Sequence, residues 1–136
     1  IHLGSRVHPR TYGTYARVLE RYVREEGVLR LEDAVRKFSS FAARRLGIPD
    51  RGEIREGMWA DIVVFDTQAV RENATFEEPR RLAGGFSYVA VNGTLVLDNG
   101  RHTGATAVWT PSLRHLWPEA GPAGYSLPIV NDTVIT

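Results

Sequence analysis

Cysteine is absent from the 136-residue sequence. Its absence excludes a disulfide scaffold, a Cys-ligated zinc or iron–sulfur site and a Cys nucleophile within this chain. An excess of one charge sign is also lacking, because 17 Lys and Arg residues stand against 16 Asp and Glu residues and the formal net charge is +1. Basic residues do not cluster with aromatic ones, so the sequence predicts no nucleic-acid partner.

Long hydrophobic runs are lacking as well. No apolar stretch approaches the length that crosses a bilayer, and the first residues do not form a secretory signal, so we expect no membrane partner and a cytoplasmic location. Hydrophobic residues make up 43% and charged residues 24% of the sequence, which is ordinary for a globular chain and argues against wholesale disorder. Because the sequence opens inside a strand-like run at Ile1, we expect a fragment of a longer protein.

The first half of the chain has the periodicity of amphipathic helices. Residues 14–27 repeat apolar side chains at intervals of three and four, and Gly27 provides the left-handed residue that ends a helix. The apolar positions are Tyr15, Val18, Leu19, Tyr22 and Val23. Residues 31–46 form a second helical stretch. Ser39 and Ser40 predict its division into two short helices, because serine competes for backbone hydrogen bonds.

The second half of the chain changes to short β-rich runs. Residues 61–66 predict a strand buried on both faces. Residues 88–97 predict a hairpin, because Asn92-Gly93 between two β-rich runs is the preferred type I′ turn. Helices first and strands second favour an α+β fold, either as one unit or as pieces of two domains joined near residues 47–52.

Two further segments are predicted to be largely irregular. Residues 67–85 are polar and contain proline and adjacent glycines, so we expect a long surface loop. The tail from residue 110 is rich in proline and glycine, and we expect it to end in a strand within residues 129–135.

Residues that could carry chemistry are few and scattered. The four histidines, at positions 2, 8, 102 and 115, form neither a His-x-His pair nor a His-Glu-x-x-His helix, so they indicate no metal site. His8 is the strongest candidate, because His8-Pro9-Arg10 places an imidazole and a guanidinium on either side of a ring with fixed φ. Such a pair could orient a carboxylate or support a metal shell. Judged on residues alone, the chain lacks a self-sufficient active site, and the alternative is a structural β module with a helical prefix.

Two stretches of the β-rich half resemble motifs of amidohydrolase-superfamily enzymes. Residues 52–66, GEIREGMWADIVVFD, resemble the signature G-x-I-x-x-G-x-x-A-D-[IL]-V-[VL]-[FL]-D from the C-terminal part of those enzymes. Residues 89–97, VAVNGTLVL, resemble their V-x-V-N-G-x-x-V hairpin. In that superfamily both motifs lie in a small β-sandwich assembled from the two ends of the chain. The resemblance implies superfamily membership and says little about the substrate.

The helical half resembles a narrower family, the N-acyl-D-amino-acid deacylases (D-aminoacylases). Residues 8–19, HPRTYGTYARVL, are similar to the family segment H-P-R-x-[YW]-G-T-[FY]-x-R-x-L, and residues 32–47 are similar to the helix that follows it. The resemblance covers about residues 1–104. It implies the last strand and helices of a (β/α)8 metal-hydrolase barrel in residues 1–47, a β-sandwich segment in residues 48–104, and a separate tail in residues 105–136.

The resemblance also implies a zinc-dependent hydrolase. In the family a bound zinc activates water and polarises the amide carbonyl, and a carboxylate passes a proton to the leaving amine. That carboxylate is the Asp of a G-S-D-G segment after the last barrel strand. Here Arg6 follows Gly4-Ser5, so no catalytic or metal residue is assigned. His8 and Arg10 match the family motif and are predicted to line the rim of the pocket as substrate-binding residues.

We therefore expect the C-terminal portion of a zinc-dependent hydrolase that cleaves the amide bond of N-acyl-D-amino acids, with its catalytic metal centre outside this chain. The full-length family member is expected to bind zinc, whereas this chain alone is expected to bind none and to be inactive. The alternatives are a non-catalytic structural or interaction module and an amidohydrolase of other specificity, such as a cyclic-amide hydrolase or a deaminase. The apolar helix face, if uncovered, predicts the remainder of the barrel or a second copy as partner.

Overall fold

The computed structural model describes residues 7–107. Helical segments come first and a four-stranded antiparallel sheet follows, which confirms the prediction of mixed helix and strand. The predicted strand before Ser5 and the tail with its predicted final strand lie outside the described residues, as do His2 and His115. Within residues 7–107, the helices are too short or too polar to cross a membrane.

The first helical segment combines two geometries. Helix α1, Arg10–Arg17, continues without interruption into a π-helix, Val18–Glu25. The wider turn of the second part is evident in the hydrogen bond that the Glu26 N–H donates over 2.8 Å to the carbonyl of Arg21, five residues back. Gly27 follows with φ 62° and ends the segment, which confirms the predicted helix end.

The start of this helix differs from the prediction. Helix α1 begins at Arg10, whereas the sequence pattern placed the start at residue 14. Pro9 already has helical dihedral angles, with φ −50° and ψ −33°. A proline ring holds φ near the helical value and lacks the N–H that the first turn of a helix leaves unbonded. The spacing of apolar residues did not predict this start, because the first turn of α1 contains few apolar residues.

The second helical stretch is divided, as predicted. Helix α2 covers Leu31–Phe38 and helix α3 covers Ser40–Arg45. Ser39 lies between them with φ −117° and ψ −97°, and its hydroxyl donates to the carbonyl of Val35 over 2.6 Å. The Ser39 N–H donates to the same carbonyl over 3.0 Å, so the hydroxyl adds a second hydrogen bond to the Val35 carbonyl at the break. Such local bonding by serine is the physical basis of the prediction.

The sheet is an antiparallel meander in the order β1-β2-β3-β4. Its strands are β1 Ile62–Phe65, β2 Phe86–Val91, β3 Thr94–Asp98 and β4 Arg101–His102. The β2–β3 hairpin confirms the predicted turn, because Asn92 and Gly93 have φ 51° and 76°. Asn99 and Gly100 repeat this geometry with φ 47° and 75° and introduce β4, a strand that was not predicted.

Strand β1 is not buried on both faces, contrary to the prediction. It lies at an edge of the sheet and pairs with β2 alone among the described strands. Val63 packs against the core, whereas Val64, on the opposite face, is 47% exposed. A continuous apolar run predicts a strand that is buried on both faces. In the described fold one face of the sheet packs against the core, and the other face is exposed to solvent.

The segment 67–85 is not a simple surface loop, which also corrects the prediction. Val70 in this segment is 0% exposed. Arg71 and Gly84 form an isolated antiparallel bridge with N–H···O distances of 3.1 and 3.0 Å. The polar composition of the segment predicted exposure, but one apolar side chain at Val70 is sufficient to insert the chain into the core.

One hydrophobic core joins the helices to the sheet. Its buried members come from α1, the π-helix, α2, the segment 67–85 and β2. They are Ala16, Leu19, Ala34, Val70 and Phe86. The division of the chain into barrel and β-sandwich segments near residue 47 stays a prediction.

The predicted apolar helix face is partly covered within this chain. Leu19 is 3% exposed, and Val18 and Val23 pack against the core. Tyr15 is 38% exposed, with its ring 4.8 Å from that of Phe38 in an edge-to-face contact. Leu19 is therefore covered within this chain, as a member of the buried cluster that includes Val70 and Phe86, and the expectation of a barrel remainder or a second copy as partner stays a prediction.

Candidate functional site

His8, Pro9 and Arg10 form the turn that starts α1. His8 and Arg10 are exposed, and Pro9 is buried. The backbone N–H of Arg10 donates to Nδ1 of His8 over 3.1 Å, and the N–H of Thr11 donates to the His8 carbonyl over 3.0 Å. Because Nδ1 accepts a hydrogen bond, a neutral His8 carries its proton on Nε2. The turn therefore presents an oriented imidazole at His8 and, two residues later, the exposed side chain of Arg10.

The fold places Phe76 against His8, a contact that was not predicted from the sequence. The two ring centroids are 5.1 Å apart with an interplanar angle of 76°, which is an edge-to-face arrangement. Phe76 is 77% exposed, so the pair forms part of the surface. The sequence gives little indication of this contact, because Phe76 is a single aromatic residue within the polar segment 67–85. An exposed aromatic ring beside the His8 imidazole, with an exposed arginine two residues further along the chain, can contact a small molecule that has an apolar group and a carboxylate.

An ion pair holds the segment 67–85 against α1. Arg17 Nη1 lies 2.8 Å from Glu72 Oε2, and this hydrogen bond raises the pKa of Arg17 above its ordinary value. Gly13 allows the close approach, because a Cβ at that position would lie 2.9 Å from Cγ and Oε1 of Glu72. The glycine of the H-P-R-x-Y-G segment thus accommodates a side chain from the segment that carries Phe76.

Glu20 and Arg24 of the π-helix strengthen the same attachment. Glu20 Oε2 accepts the backbone N–H of Glu72 over 2.6 Å, and Glu20 Oε1 lies 3.1 Å from Arg24 Nη2. Arg24 Nη1 in turn donates to the carbonyls of Thr67 and Val70 over 2.8 and 2.9 Å. These contacts satisfy backbone groups of an irregular segment. They therefore hold that segment, and with it Phe76, beside the start of α1.

A second polar cluster joins the two β-rich motifs. Asp61 is 3% exposed, and its Oδ1 accepts the backbone N–H of Asn92 over 2.8 Å. The guanidinium of Arg51 binds both residues, pairing with Asp61 Oδ2 and donating to Asn92 Oδ1 over 2.5 Å. Both oxygens of the Asp61 carboxylate therefore have partners, which is typical of a buried structural carboxylate rather than a catalytic one.

Metal ligands do not converge in the described part of the chain. Within residues 7–107, no group of three or more His, Cys, Asp or Glu side chains could hold a metal ion. His102 is exposed on β4, and its Nδ1 accepts the Gly104 N–H over 2.9 Å. We therefore assign no metal role to any described residue. The prediction that His8 and Arg10 bind substrate stays a prediction.

The sequence is similar to known deacylases over much of its length. It is 47% identical over 89 residues to the N-acyl-D-glutamate deacylase of Alcaligenes xylosoxydans xylosoxydans, covering 65% of this chain and 18% of that protein. It is 44% identical over 103 residues to the D-aminoacylase of the same organism, covering 76% of this chain and 21% of that protein. The chain thus spans about a fifth of the length of these relatives.

Solved structures show the same relationship. A crystal structure of D-aminoacylase, described as defining a novel subset of amidohydrolases, matches with a TM-score of 0.70 and 43% identity, over 74% of this chain and 21% of that chain. The N-acyl-D-glutamate deacylase of Bordetella bronchiseptica, complexed with zinc and a phosphonate mimic of the tetrahedral intermediate, matches with a TM-score of 0.66 and 42% identity, over 71% of this chain and 21% of that chain. The Amidohydrolase family profile matches residues 5–97. The chain belongs to the amidohydrolase family.

Proposed function

We propose that this chain is the C-terminal portion of a zinc-dependent hydrolase that cleaves the amide bond of N-acyl-D-amino acids, with a catalytic metal centre outside this chain. The observation that carries the proposal is the similarity to three relatives of different side-chain specificity, at 44–47% identity. They are a D-aminoacylase and deacylases of N-acyl-D-glutamate and N-acyl-D-aspartate. Their names agree on the D configuration and the acyl group, which supports the substrate class but not a particular side chain.

In this proposal the helices belong to the outer ring of a (β/α)8 barrel and the sheet belongs to an adjoining β-sandwich. One matching structure contains zinc, and another concerns a binuclear metal centre in D-aminoacylase. A zinc ion bound by the remainder of the barrel would supply an activated water for amide hydrolysis. Residues 7–107 contain no group of three or more His, Cys, Asp or Glu side chains that could hold a metal ion, and in this proposal they contribute substrate-binding residues.

Arg10, His8 and Phe76 are the residues that we assign to the substrate. The Arg10 guanidinium binds the carboxylate of the N-acyl amino acid, because its planar fork matches a carboxylate in charge and geometry. His8 stands two residues away with a defined ring orientation, since its Nδ1 accepts the Arg10 N–H. Phe76 offers an apolar surface beside that imidazole.

The proposal is tested with the complete gene product, purified and loaded with zinc. The assay measures release of the free amino acid from N-acetyl derivatives of D-glutamate, D-aspartate and D-leucine, with the L enantiomers as matched controls. We expect hydrolysis of D substrates, loss of activity with a chelator and recovery with zinc. Hydantoin, followed by formation of N-carbamoylglycine, and adenosine, followed by release of ammonia, test the cyclic-amide hydrolase and deaminase alternatives. Absence of hydrolysis of all N-acyl-D-amino acids by the zinc-loaded protein would contradict the proposal.

The assignment of Arg10 is tested in the same protein with Arg10→Gln. Loss of a hydrogen bond between charged groups costs about 1.5–3 kcal/mol, so we expect KM to rise by about 10-fold to 150-fold with a smaller change in kcat. Arg45→Gln, at an exposed arginine at the end of α3, is the matched control and leaves KM unchanged. Equal KM values for the two variants would refute the role of Arg10.

A further inference from the structure

A closed turn in the segment 67–85 presents Phe76 at the surface. The Glu78 N–H donates to the Thr75 hydroxyl over 3.0 Å, and the Thr75 N–H donates to the Glu78 carbonyl over 3.3 Å. Ala74, immediately before the turn, is 7% exposed, whereas Phe76 within it is 77% exposed. Because the turn closes on itself, the position of Phe76 against His8 depends on how the chain before the turn is held.

Glu72 attaches the chain before this turn to the first helical segment. Its backbone N–H donates to Glu20 Oε2 over 2.6 Å, and its Oε2 lies 2.8 Å from Arg17 Nη1. Its side chain also lies against Gly13, where an added Cβ would be 2.9 Å from Cγ and Oε1 of Glu72. Glu72 is closer to Phe76 along the chain than three further residues that contact the π-helix. These residues are Thr67, Val70 and Arg71.

The other ring of the aromatic contact is held by the same helix. His8 lies in the turn that starts α1, and its Nδ1 accepts the N–H of Arg10 over 3.1 Å. Gly13 and Arg17, which contact the side chain of Glu72, are also residues of α1. A shift of Glu72 along α1 would therefore move the Phe76 turn relative to His8.

The Arg17–Glu72 ion pair is too exposed to contribute much to stability. The Arg17 side chain is 42% exposed and that of Glu72 is 14% exposed. Water and salt screen an ion pair near the surface, and ordering two long side chains costs entropy. The Arg21–Glu26 pair of the same helical segment is comparably exposed, at 49% and 39%. It joins neighbouring parts of the helix, whereas the Arg17–Glu72 pair joins the helix to the segment that carries Phe76.

We propose that Glu72 is a positioning residue for the substrate. Through Arg17 and Gly13 it holds the Phe76 ring at the place beside His8 where the ring contacts an apolar group of the N-acyl-D-amino acid. That apolar group is a hydrocarbon chain, supplied by the amino-acid side chain or by the acyl group. The inference rests on the proposed function, and it deepens that function by assigning selectivity for a large over a small apolar group to the attachment of Glu72.

The first measurement follows the ring contact itself and does not involve catalysis. It is the NMR chemical shift of the His8 Hε1 proton in the complete gene product with isotope-labelled histidine, without substrate and at one fixed pH. An aromatic ring shifts the resonance of a proton beside it, so Phe76→Ala is expected to move this resonance. The His8→Gln variant identifies it, because the resonance is then missing.

Two variants disturb the attachment of Glu72 in different ways. Arg17→Gln removes the ion pair. Gly13→Ala adds a Cβ that displaces the Glu72 side chain, while alanine favours the helix more than glycine does. We expect both variants to move the His8 resonance toward its position in Phe76→Ala, and the matched control Arg21→Gln to leave it unchanged. An unchanged resonance in both variants would overturn the positioning role, and having two variants keeps the test decisive if one does not fold.

The second measurement is substrate selectivity in the zinc-loaded complete gene product. The ratio of kcat/KM for N-acetyl-D-leucine to that for N-acetyl-D-alanine reports on the side chain, and the ratio for N-hexanoyl-D-alanine to N-acetyl-D-alanine reports on the acyl group. Each ratio compares two substrates on one preparation, so a loss of folded enzyme cancels. We expect Phe76→Ala to lower one ratio by about tenfold, and Arg17→Gln to lower the same ratio by at least about threefold.

A double variant shows whether the ion pair acts through Phe76. Adding Arg17→Gln to Phe76→Ala is expected to lower the ratio no further, because the ring that Glu72 positions is already absent. Arg21→Gln leaves both ratios unchanged. An effect of Arg17→Gln that persists without the Phe76 ring would overturn the proposal, as would unchanged ratios in Arg17→Gln. Hydrolysis of none of these substrates would contradict the proposed function, whereas an unchanged His8 resonance would contradict the positioning role alone.

Discussion

The buried carboxylate of Asp61 accepts the backbone N–H of Asn92 over 2.8 Å and thereby joins the start of β1 to the β2–β3 turn. Asn92 has φ 51°, and Arg51 binds both side chains from a third segment. The Asp of the A-D motif and the Asn of the N-G motif are therefore parts of one structural contact. This contact explains why both residue types occur in the two motifs without a catalytic role for either.

Removal of the Asp61 carboxylate is expected to lower the free energy of unfolding. Asp61→Ala removes the buried carboxylate that pairs with the Arg51 guanidinium, whose side chain is 10% exposed, and that accepts the Asn92 N–H. Breaking a buried ion pair from one side costs about 3–5 kcal/mol, and we expect a loss of this size in the free energy of unfolding. The measurement is urea unfolding of the purified chain. Glu56→Gln, at an exposed carboxylate in the same motif, is the control and changes stability by less than about 0.5 kcal/mol. Similar losses for both variants would contradict the structural role of Asp61.

Alanine substitutions at two glycines distinguish the free-energy cost of a steric clash from the cost of a left-handed backbone. Gly85 and Gly57 have nearly equal φ values, 86° and 84°. A Cβ at Gly85 would lie 2.4 Å from the Val70 backbone N, whereas a Cβ at Gly57 meets nothing within 4 Å. We expect Gly57→Ala to cost about 1–2 kcal/mol, from the left-handed backbone alone. Gly85→Ala is expected to cost clearly more and to lower the yield of folded protein. Thermal unfolding of the two variants compares them, and equal midpoints would show that the contact with Val70 is not as described.

The π-helix and the sheet contribute side chains to the same hydrophobic core, so we expect the stability of one to depend on the other. Leu19 is 3% exposed within that core, so Leu19→Ala removes buried methyl groups and leaves a cavity. We expect a loss of about 2–5 kcal/mol in the free energy of unfolding. Leu82→Ala is the matched control, because Leu82 is 58% exposed and its truncation is expected to change stability by less than about 0.5 kcal/mol. A small effect at Leu19 would mean that the helices and the sheet do not share a core.

The Arg44–Glu53 ion pair predicts a defined pH dependence. The side-chain hydrogen bond from Arg44 lowers the pKa of Glu53 below its ordinary value of 4.5. Because the pKa is lower in the folded chain than in the unfolded chain, this pair stabilises the fold above pH 4.5 and loses its effect as the pH falls through the folded-state pKa. We expect NMR titration of the Glu53 carboxyl to give a midpoint below 4.5 that returns to the ordinary value in Arg44→Gln.

The control for this titration is Arg45→Gln, since Arg45 is the next residue on α3 and is also exposed. It is expected to leave the Glu53 midpoint where it is in the unaltered chain. An unchanged midpoint in Arg44→Gln would show that the ion pair is absent in solution.

Several features could be predicted from the sequence because their causes are local. Gly27 ends the first helical segment with a positive φ, Ser39 divides the second, and Asn92-Gly93 makes the hairpin turn. Each depends on the backbone preferences of one or two residues, which neighbours along the chain hardly alter. The same reasoning applied to Asn99-Gly100 would have predicted β4.

The candidate site was predictable in part. His8 and Arg10 could be named because they are adjacent to the same proline, and the structure places both on the surface at the start of α1. Phe76 could not be named, because its contact with His8 depends on how the segment 67–85 is held against the π-helix. Contacts between residues far apart in the chain leave no local pattern.

The sequence by itself determined the helices, the hairpin and the motifs of the amidohydrolase family, because these depend on short-range periodicity and on residue types at fixed spacing. The tertiary structure alone decided that Val70 enters the core and that β1 lies at a sheet edge with Val64 exposed. It also brought Asp61 to Asn92. Burial depends on which segments of the chain pack against each other. The free energy gained by this packing comes from buried apolar area and buried hydrogen bonds between residues that are far apart in the sequence.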